Sequence, residues 1–200
     1  MKALSSNGRW MLAGVAWCAI IAGGYTLLFR YSFAVGNAST PPPNIPASFA
    51  SAGSLSKPRL FLALHPHCPC SGATVRELAK ILTRAPNSSD VTVLMFKPAD
   101  ESDEWLEGGL LRQCRRMNCR VVSDPEGRLA ASLGSLTSGR VVLYDARGRL
   151  RYHGGITGSR GHEGDNAGEH AVIDILRGGG DTARSLPVFG CPIVQNQATR

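Results

Sequence analysis

Residues 65–71 read His-Pro-His-Cys-Pro-Cys-Ser, so His65, His67, Cys68 and Cys70 bring two imidazoles and two thiols into one short stretch. Two chemistries use such a set. In the first, a thiolate attacks a disulfide and a nearby second thiol resolves the mixed disulfide. In the second, imidazole and sulfur hold a soft ion such as copper or zinc. The stretch lies between an apolar run, RLFLAL, and a segment with helical spacing, so Cys68 is expected as the N-cap of that helix and Pro69 as its first residue. Free helix amides and the positive end of the dipole would then stabilise the Cys68 thiolate. Cys70, two residues on, is the expected resolver.

The metal set would be His65, His67, Cys68 and Cys70, helped by His153, His162 or Cys191. Alternation puts both histidines on one side of an extended segment, and two prolines limit its curl. No second C-x-x-C and no H-x-x-x-H accompanies the stretch, and no C-x-x-C-H for haem. Redox chemistry is therefore preferred and metal binding is the alternative, with His67 a modulator of Cys68. A buried pair or a structural bridge is the plain reading of the two cysteines. A bridge across one residue closes almost no loop, which argues against it.

The elements that must position these groups alternate in type. Strands are expected at 59–64 and 91–96, with a helix over 70–84 between them. An amphipathic helix carries Leu106, Leu110, Cys114 and Met117. The short strand RVVS follows, then a helix with Asp124 as N-cap and Pro125 at its first position. Strands 140–145 and 149–154 form a hairpin, and a glycine-rich loop, 155–168, leads to a last helix over 169–178. Crossover helices demand a parallel half and the hairpin an antiparallel half, so the fold expected is α/β, a mixed sheet flanked by helices.

Residues 10–29 hold no charge, and at about 1.5 Å per residue they reach about 30 Å, the thickness of a bilayer core. The organisation expected is a cytoplasmic tail, 1–9; a transmembrane anchor, 10–29; a Pro/Ser/Ala-rich linker, 30–58; and a globular domain, 59–200. A cleaved signal peptide competes with the anchor, but its apolar core is usually about 7–15 residues. Lys2 and Arg9 precede the segment and Arg30 alone closely follows, so the amino end stays in the cytoplasm and the domain lies outside, in the periplasm. The chain carries +7, but from residue 31 onward 19 basic and 15 acidic residues leave +4, scattered rather than clustered, which argues against a nucleic-acid partner.

The order of elements, together with HPHCPCS, TSGRVVLYD, GHEGDNAG and the terminal PVFGCP, resembles the thioredoxin superfamily, and within it the membrane-anchored RedB-like branch. The resemblance covers about 58–192. It implies a thioredoxin-like fold, protein thiol and disulfide partners, no cofactor, and Cys68 as the attacking thiol. It also places Thr137, Ser138, His153, Gly154 and the glycine loop near Cys68. Two departures stand out. Ser71 occupies the position of the second cysteine of C-x-x-C, and Thr137 and Ser138 stand where a thioredoxin carries a cis-proline. Gly158, Gly161, Gly164 and Gly168 lack the G-K-[ST] of a phosphate loop.

Cys114 and Cys119 either bridge or are buried thiols. Cys191 is a third redox thiol folding back on Cys68 or Cys70, or an anchor for the tail. The expectation is a membrane-anchored thiol-disulfide oxidoreductase using Cys68 and Cys70, with His67, Ser71, Thr137, Ser138 and Cys191 as modulators. A copper or zinc protein is the runner-up, and a non-catalytic interaction module the third reading.

Overall fold

The computed structural model describes residues 6–49 and 56–193; Lys2, part of the linker and the last seven residues lie outside them. The chain divides into two units, the first ending at Ala34 and the second beginning at Val35. The first unit is one helix, α1, Ser6–Ser32. It is long and apolar enough to cross a membrane, and none of its apolar stretch is buried against protein. The helix continues beyond the uncharged core 10–29 at both ends.

The second unit is built on a six-stranded sheet ordered β3-β2-β1-β4-β5-β6. Its strands are β1 Arg59–Leu64, β2 Asp90–Lys97, β3 Arg120–Pro125, β4 Arg140–Tyr144, β5 Leu150–Gly155 and β6 Arg184–Ser185. β1 and β2 run parallel, as do β2 and β3, while β4 pairs antiparallel with both β1 and β5. The parallel half and the hairpin half expected from the sequence are both present. The helices are α2 Ser71–Arg84, α3 Gly109–Arg116, α4 Arg128–Ser132 and α5 Ala167–Leu176, with a 3-10 turn at Asp103–Leu106.

Alternation along β1 divides the core. Leu60, Leu62 and Leu64 face α2, α3 and α5 with Val75, Leu78, Cys114 and Val172, while Phe61 and Ala63 face the other side with Ala130, Leu133, Val142 and Tyr144. On that second face α4 is only five residues long. The remainder is covered by part of the stretch expected as a linker.

Where described, that stretch lies along the domain. Gly36 N–H donates to Val188 O at 2.8 Å, Ile45 N–H to Gly148 O at 2.8 Å, and Leu150 N–H to Pro43 O at 2.8 Å. Arg140 and Tyr144 donate to Ser39 O and Pro42 O. The Phe49 ring meets Phe61 edge-on at 4.9 Å. Prolines without N–H groups suit a strap that offers carbonyls to a sheet face. Gly134, at φ +70°, leaves no room for a side chain, since a Cβ there would stand 2.4 Å from Ser39 O. Gly134→Ala is expected to lower the unfolding free energy in urea by about 1–3 kcal/mol through strain and a lifted strap. An unchanged urea midpoint would show that the strap does not contribute.

The β3 end also differs from expectation. The strand continues through Asp124 and Pro125, and Glu126 and Gly127 make a left-handed turn, φ 57° and 66°, before α4. Asp124 still caps, from a distance, by accepting from Leu129 N–H at 2.8 Å and Ala130 N–H at 2.9 Å.

Candidate functional site

The carboxyl end of β1 delivers the chain into a turn that holds the sulfurs. Cys68 N–H donates to His65 O at 3.1 Å and Ser71 N–H to Cys68 O at 3.0 Å. These two bonds complete a turn before the helix, so α2 begins at Ser71 and Cys70 is its N-cap. Cys68 was expected as the cap and stands two residues earlier. Its thiol still reaches the helix start, where it takes the Cys70 backbone N–H. The amide it meets is that of the cap residue, one position before α2.

Three sulfurs meet here. Those of Cys68, Cys70 and Cys191 all lie within 4.8 Å of one another. The shortest approach is Cys68 Sγ to Cys191 Sγ, 2.9 Å, inside hydrogen-bond range for sulfur and outside the length of a disulfide of about 2.05 Å. Burial opposes ionisation of Cys68, yet hydrogen bonds from the Cys191 thiol and from the backbone at Cys70 and Cys191 outweigh it and hold its pKa below the usual value. Burial pushes the Cys191 thiol up to about 12, with the hydrogen bond to Cys68 and the nearby Cys68 charge adding to it. Burial and the Cys68 charge likewise raise Cys70. Of the three thiols, Cys68 is the one whose surroundings favour ionisation, while those of Cys70 and Cys191 oppose it.

Ser71 and Ser138 build the floor. Their hydroxyls are 2.9 Å apart, Ser71 donates to His65 O at 2.9 Å, and His65 N–H donates to the Ser138 hydroxyl at 2.9 Å. Ser71, standing where a second cysteine was the comparison, thus ties α2 to the loop before β4. Thr137 pairs through its backbone with Pro192, and its hydroxyl donates to Asn37 O at 2.7 Å. His153 faces Arg140 and Ser185 rather than the sulfurs. His67 makes its ring contact with the Trp105 carbonyl, 3.2 Å from Nε2, and packs on the Trp105 ring. His65 stacks on Phe96 at 5.1 Å. The histidines form an aromatic wall with Trp105, and neither joins the three clustered sulfurs. Among the described residues, the His65, His67, Cys68 and Cys70 metal set is therefore not drawn together.

The glycine loop reaches the site at one point. A Cβ on Gly161 would lie 3.8 Å from Cys70 Sγ, and the Arg160 charge opposes the raised pKa of both Cys70 and Cys191. Glu77, fully buried on α2, fastens the loop by accepting from Gly164 N–H at 2.8 Å and pairs with Lys80 at 2.7 Å. His162 is exposed, and Glu163 pairs with Arg76. Arg160 and Glu77 were not singled out from the sequence, because neither lies within a motif. Cys114 and Cys119 are free buried thiols in the α2-side core. A cavity of about 830 Å³ opens among the starting residues of β1, β2 and β3, such as Arg59, Asp90 and Arg120. The sulfurs sit at the other end of these parallel strands.

A parallel β1-β2-β3 half, an antiparallel β4-β5 hairpin and a cysteine turn between β1 and α2 make the mixed α/β sheet flanked by helices that was expected of a thioredoxin-like fold. No protein-family model matches the chain, and no curated protein sequence does. Among solved structures, a hypothetical protein of Sinorhizobium meliloti 1021 superposes with a TM-score of 0.56 at 20% identity, over 84% of this chain and 97% of that one. An uncharacterised conserved protein of Geobacillus kaustophilus gives 0.56 at 15% identity, over 84% and 95%. A secreted Mycobacterium tuberculosis disulfide oxidoreductase homologous to Escherichia coli DsbE gives 0.44 at 14% identity, over 68% and 93%.

Proposed function

We propose that this chain is a thiol-disulfide oxidoreductase with protein partners, in which Cys68 is the attacking thiol and Cys70 a second thiol of the same site. The single observation that carries the reading is the environment of Cys68 Sγ, a sulfur at a helix start whose hydrogen bonds outweigh its burial. A thiolate so placed has the nucleophile that disulfide exchange requires. Helix α1 serves as a single-pass membrane anchor, and with Lys2 and Arg9 on the cytoplasmic side the domain works in the periplasm. Within the thioredoxin superfamily the RedB-like branch is the reading that the motifs HPHCPCS and PVFGCP favour.

Alkylation of the reduced protein against pH tests the reading. Cys68 is expected to react with a midpoint below the ordinary thiol value of 9.0, while Cys114 and Cys119, pushed up by burial to about 12 and about 11, stay unmodified. A Cys68 midpoint at or above 9.0 would remove the nucleophile and with it the proposal. Proximity of three sulfurs favours one second reading, a soft monovalent ion such as Cu(I) held by Cys68, Cys70 and Cys191. Stoichiometric Cu(I) binding that survives His67→Ala and is lost in Cys68→Ser supports it; absence of binding rejects it.

A further inference from the structure

The tail that carries Cys191 is seated by a single antiparallel β-bridge and its flanking backbone hydrogen bonds. Ser138 N–H donates to Cys191 O at 2.9 Å, Ile193 N–H donates to Leu136 O at 2.9 Å, and Thr137 bridges antiparallel to Pro192. Close backbone approach makes this possible at Gly190, where a Cβ would stand 2.0 Å from Ser138 O. Ile193 is buried on the sheet face that holds Phe61 and Val142. These contacts present the Cys191 sulfur 2.9 Å from that of Cys68, across 123 residues of sequence.

From this geometry we infer that Cys191 is the resolving cysteine of the site, and that the tail occupies the strand position a polypeptide partner takes when its own cysteine is joined to Cys68. The inference rests on the oxidoreductase reading and assigns its second thiol and the form of its substrate. A partner entering as an extended strand would use the backbone groups the tail now holds, Ser138 N–H and Leu136 O. Tail and partner cannot pair there together. Exchange of one for the other keeps the same hydrogen bonds, so the exchange costs little.

The steps balance. With the tail withdrawn, the Cys68 thiolate attacks one sulfur of a partner disulfide; a Cys68–partner S–S bond forms, the partner's S–S bond breaks, and the leaving thiolate takes a proton from water. The tail then displaces the partner's strand from Ser138 and Leu136 while the mixed disulfide still holds, and Cys191 gives its proton to water and attacks Cys68 Sγ. The Cys68–Cys191 bond forms and the mixed disulfide breaks. The partner leaves as a second thiol, two electrons having passed from the protein to it. Cys70, fixed at the N-cap of α2, stays under the glycine loop throughout.

The full chain in detergent micelles tests this with glutathione disulfide as the probe. Oxidised protein, alkylated and digested, is expected to yield the Cys68–Cys191 cross-linked peptide as the main product. In Cys191→Ser the Cys68–glutathione adduct should persist about tenfold longer than in the unmodified chain, whereas Cys70→Ser should resolve it normally. Gly190→Ala keeps every cysteine but pushes the tail from Ser138, and should reduce the Cys68–Cys191 product about tenfold. A dominant Cys68–Cys70 product, or an adduct that persists in Cys70→Ser and not in Cys191→Ser, would overturn the inference and leave the oxidoreductase reading intact. An adduct that forms on Cys68 in none of these variants would defeat the reading itself.

Discussion

Cys68→Ser is expected to abolish disulfide exchange, lowering its rate at least about a thousandfold, while the domain stays folded. The loss is chemical in origin. A serine hydroxyl does not ionise near neutral pH and forms no S–S bond, so both the nucleophile and the intermediate disappear. The exchange of sulfur for oxygen changes little volume at a position 7% exposed, and the groups that now serve the thiolate can serve a hydroxyl. Stability should respond in a pH-dependent way. Because the Cys68 pKa is lowered in the folded chain, its thiolate contributes stability that is fully present above 9.0 and lost as pH falls through the native value. The variant should therefore unfold at nearly the parent urea concentration at acid pH and fall behind it above 9.0. Measurement pairs the rate of glutathione disulfide reduction with the urea midpoint. A variant that keeps a tenth of the parent rate would transfer the attacking role to another thiol.

What the sequence disclosed follows from how locally each feature is encoded. RLFLAL is a strand because β1 is buried on both faces, and a continuous apolar run of five between a charge and a turn has few other solutions. The hairpin β4-β5 and the helices α2 and α5 were equally readable, since each combines a local period with a glycine or proline boundary. The helix start was displaced from Cys68 because hydrogen bonds from His65 to Ser71 make a turn before the helix proper, and caps of this kind depend on geometry rather than residue type.

The strap shows a different limit. Pro, Ser and Ala over 37–49 give the composition of a spacer, but Pro42, Pro43 and Ser39 dock through their carbonyls, which every residue possesses. Cys191 had two readings because its meaning depends on a contact 123 residues away. Only Gly190 within FGCP hinted at it, as a place where the backbone comes close to another strand. The site is thus assembled from one locally written turn and one tail whose position is set by tertiary pairing.

The second large effect is alkaline unfolding of the reduced domain. Cys114 is fully buried and Cys119 is 7% exposed, both within the α2-side core. Burial pushes Cys114 up to about 12, with the adjacent Cys119 adding to it, and burial pushes Cys119 to about 11, from an ordinary value of 9.0. Groups raised in this way contribute stability that is complete below 9.0 and is lost as pH rises toward their folded values, because the unfolded chain releases its protons first. By pH 10 each thiol has lost about 1.4 kcal/mol, so the pair costs about 3 kcal/mol relative to neutral pH. Of the site thiols, Cys68 is shifted down and Cys70 and Cys191 up, a contribution common to the parent and to any variant at Cys114 and Cys119. Domains of this size are held by about 5–15 kcal/mol, so a loss of 3 should bring the urea midpoint down steeply between pH 8 and pH 10. The double variant Cys114→Ala, Cys119→Ala should be less stable at pH 7 through the cavities it leaves, yet fall less steeply across the same interval. Equal slopes for parent and double variant, measured with the thiols kept reduced, would mean that these two sulfurs are not the source. A flat parent curve would mean that they are not held protonated by the core at all.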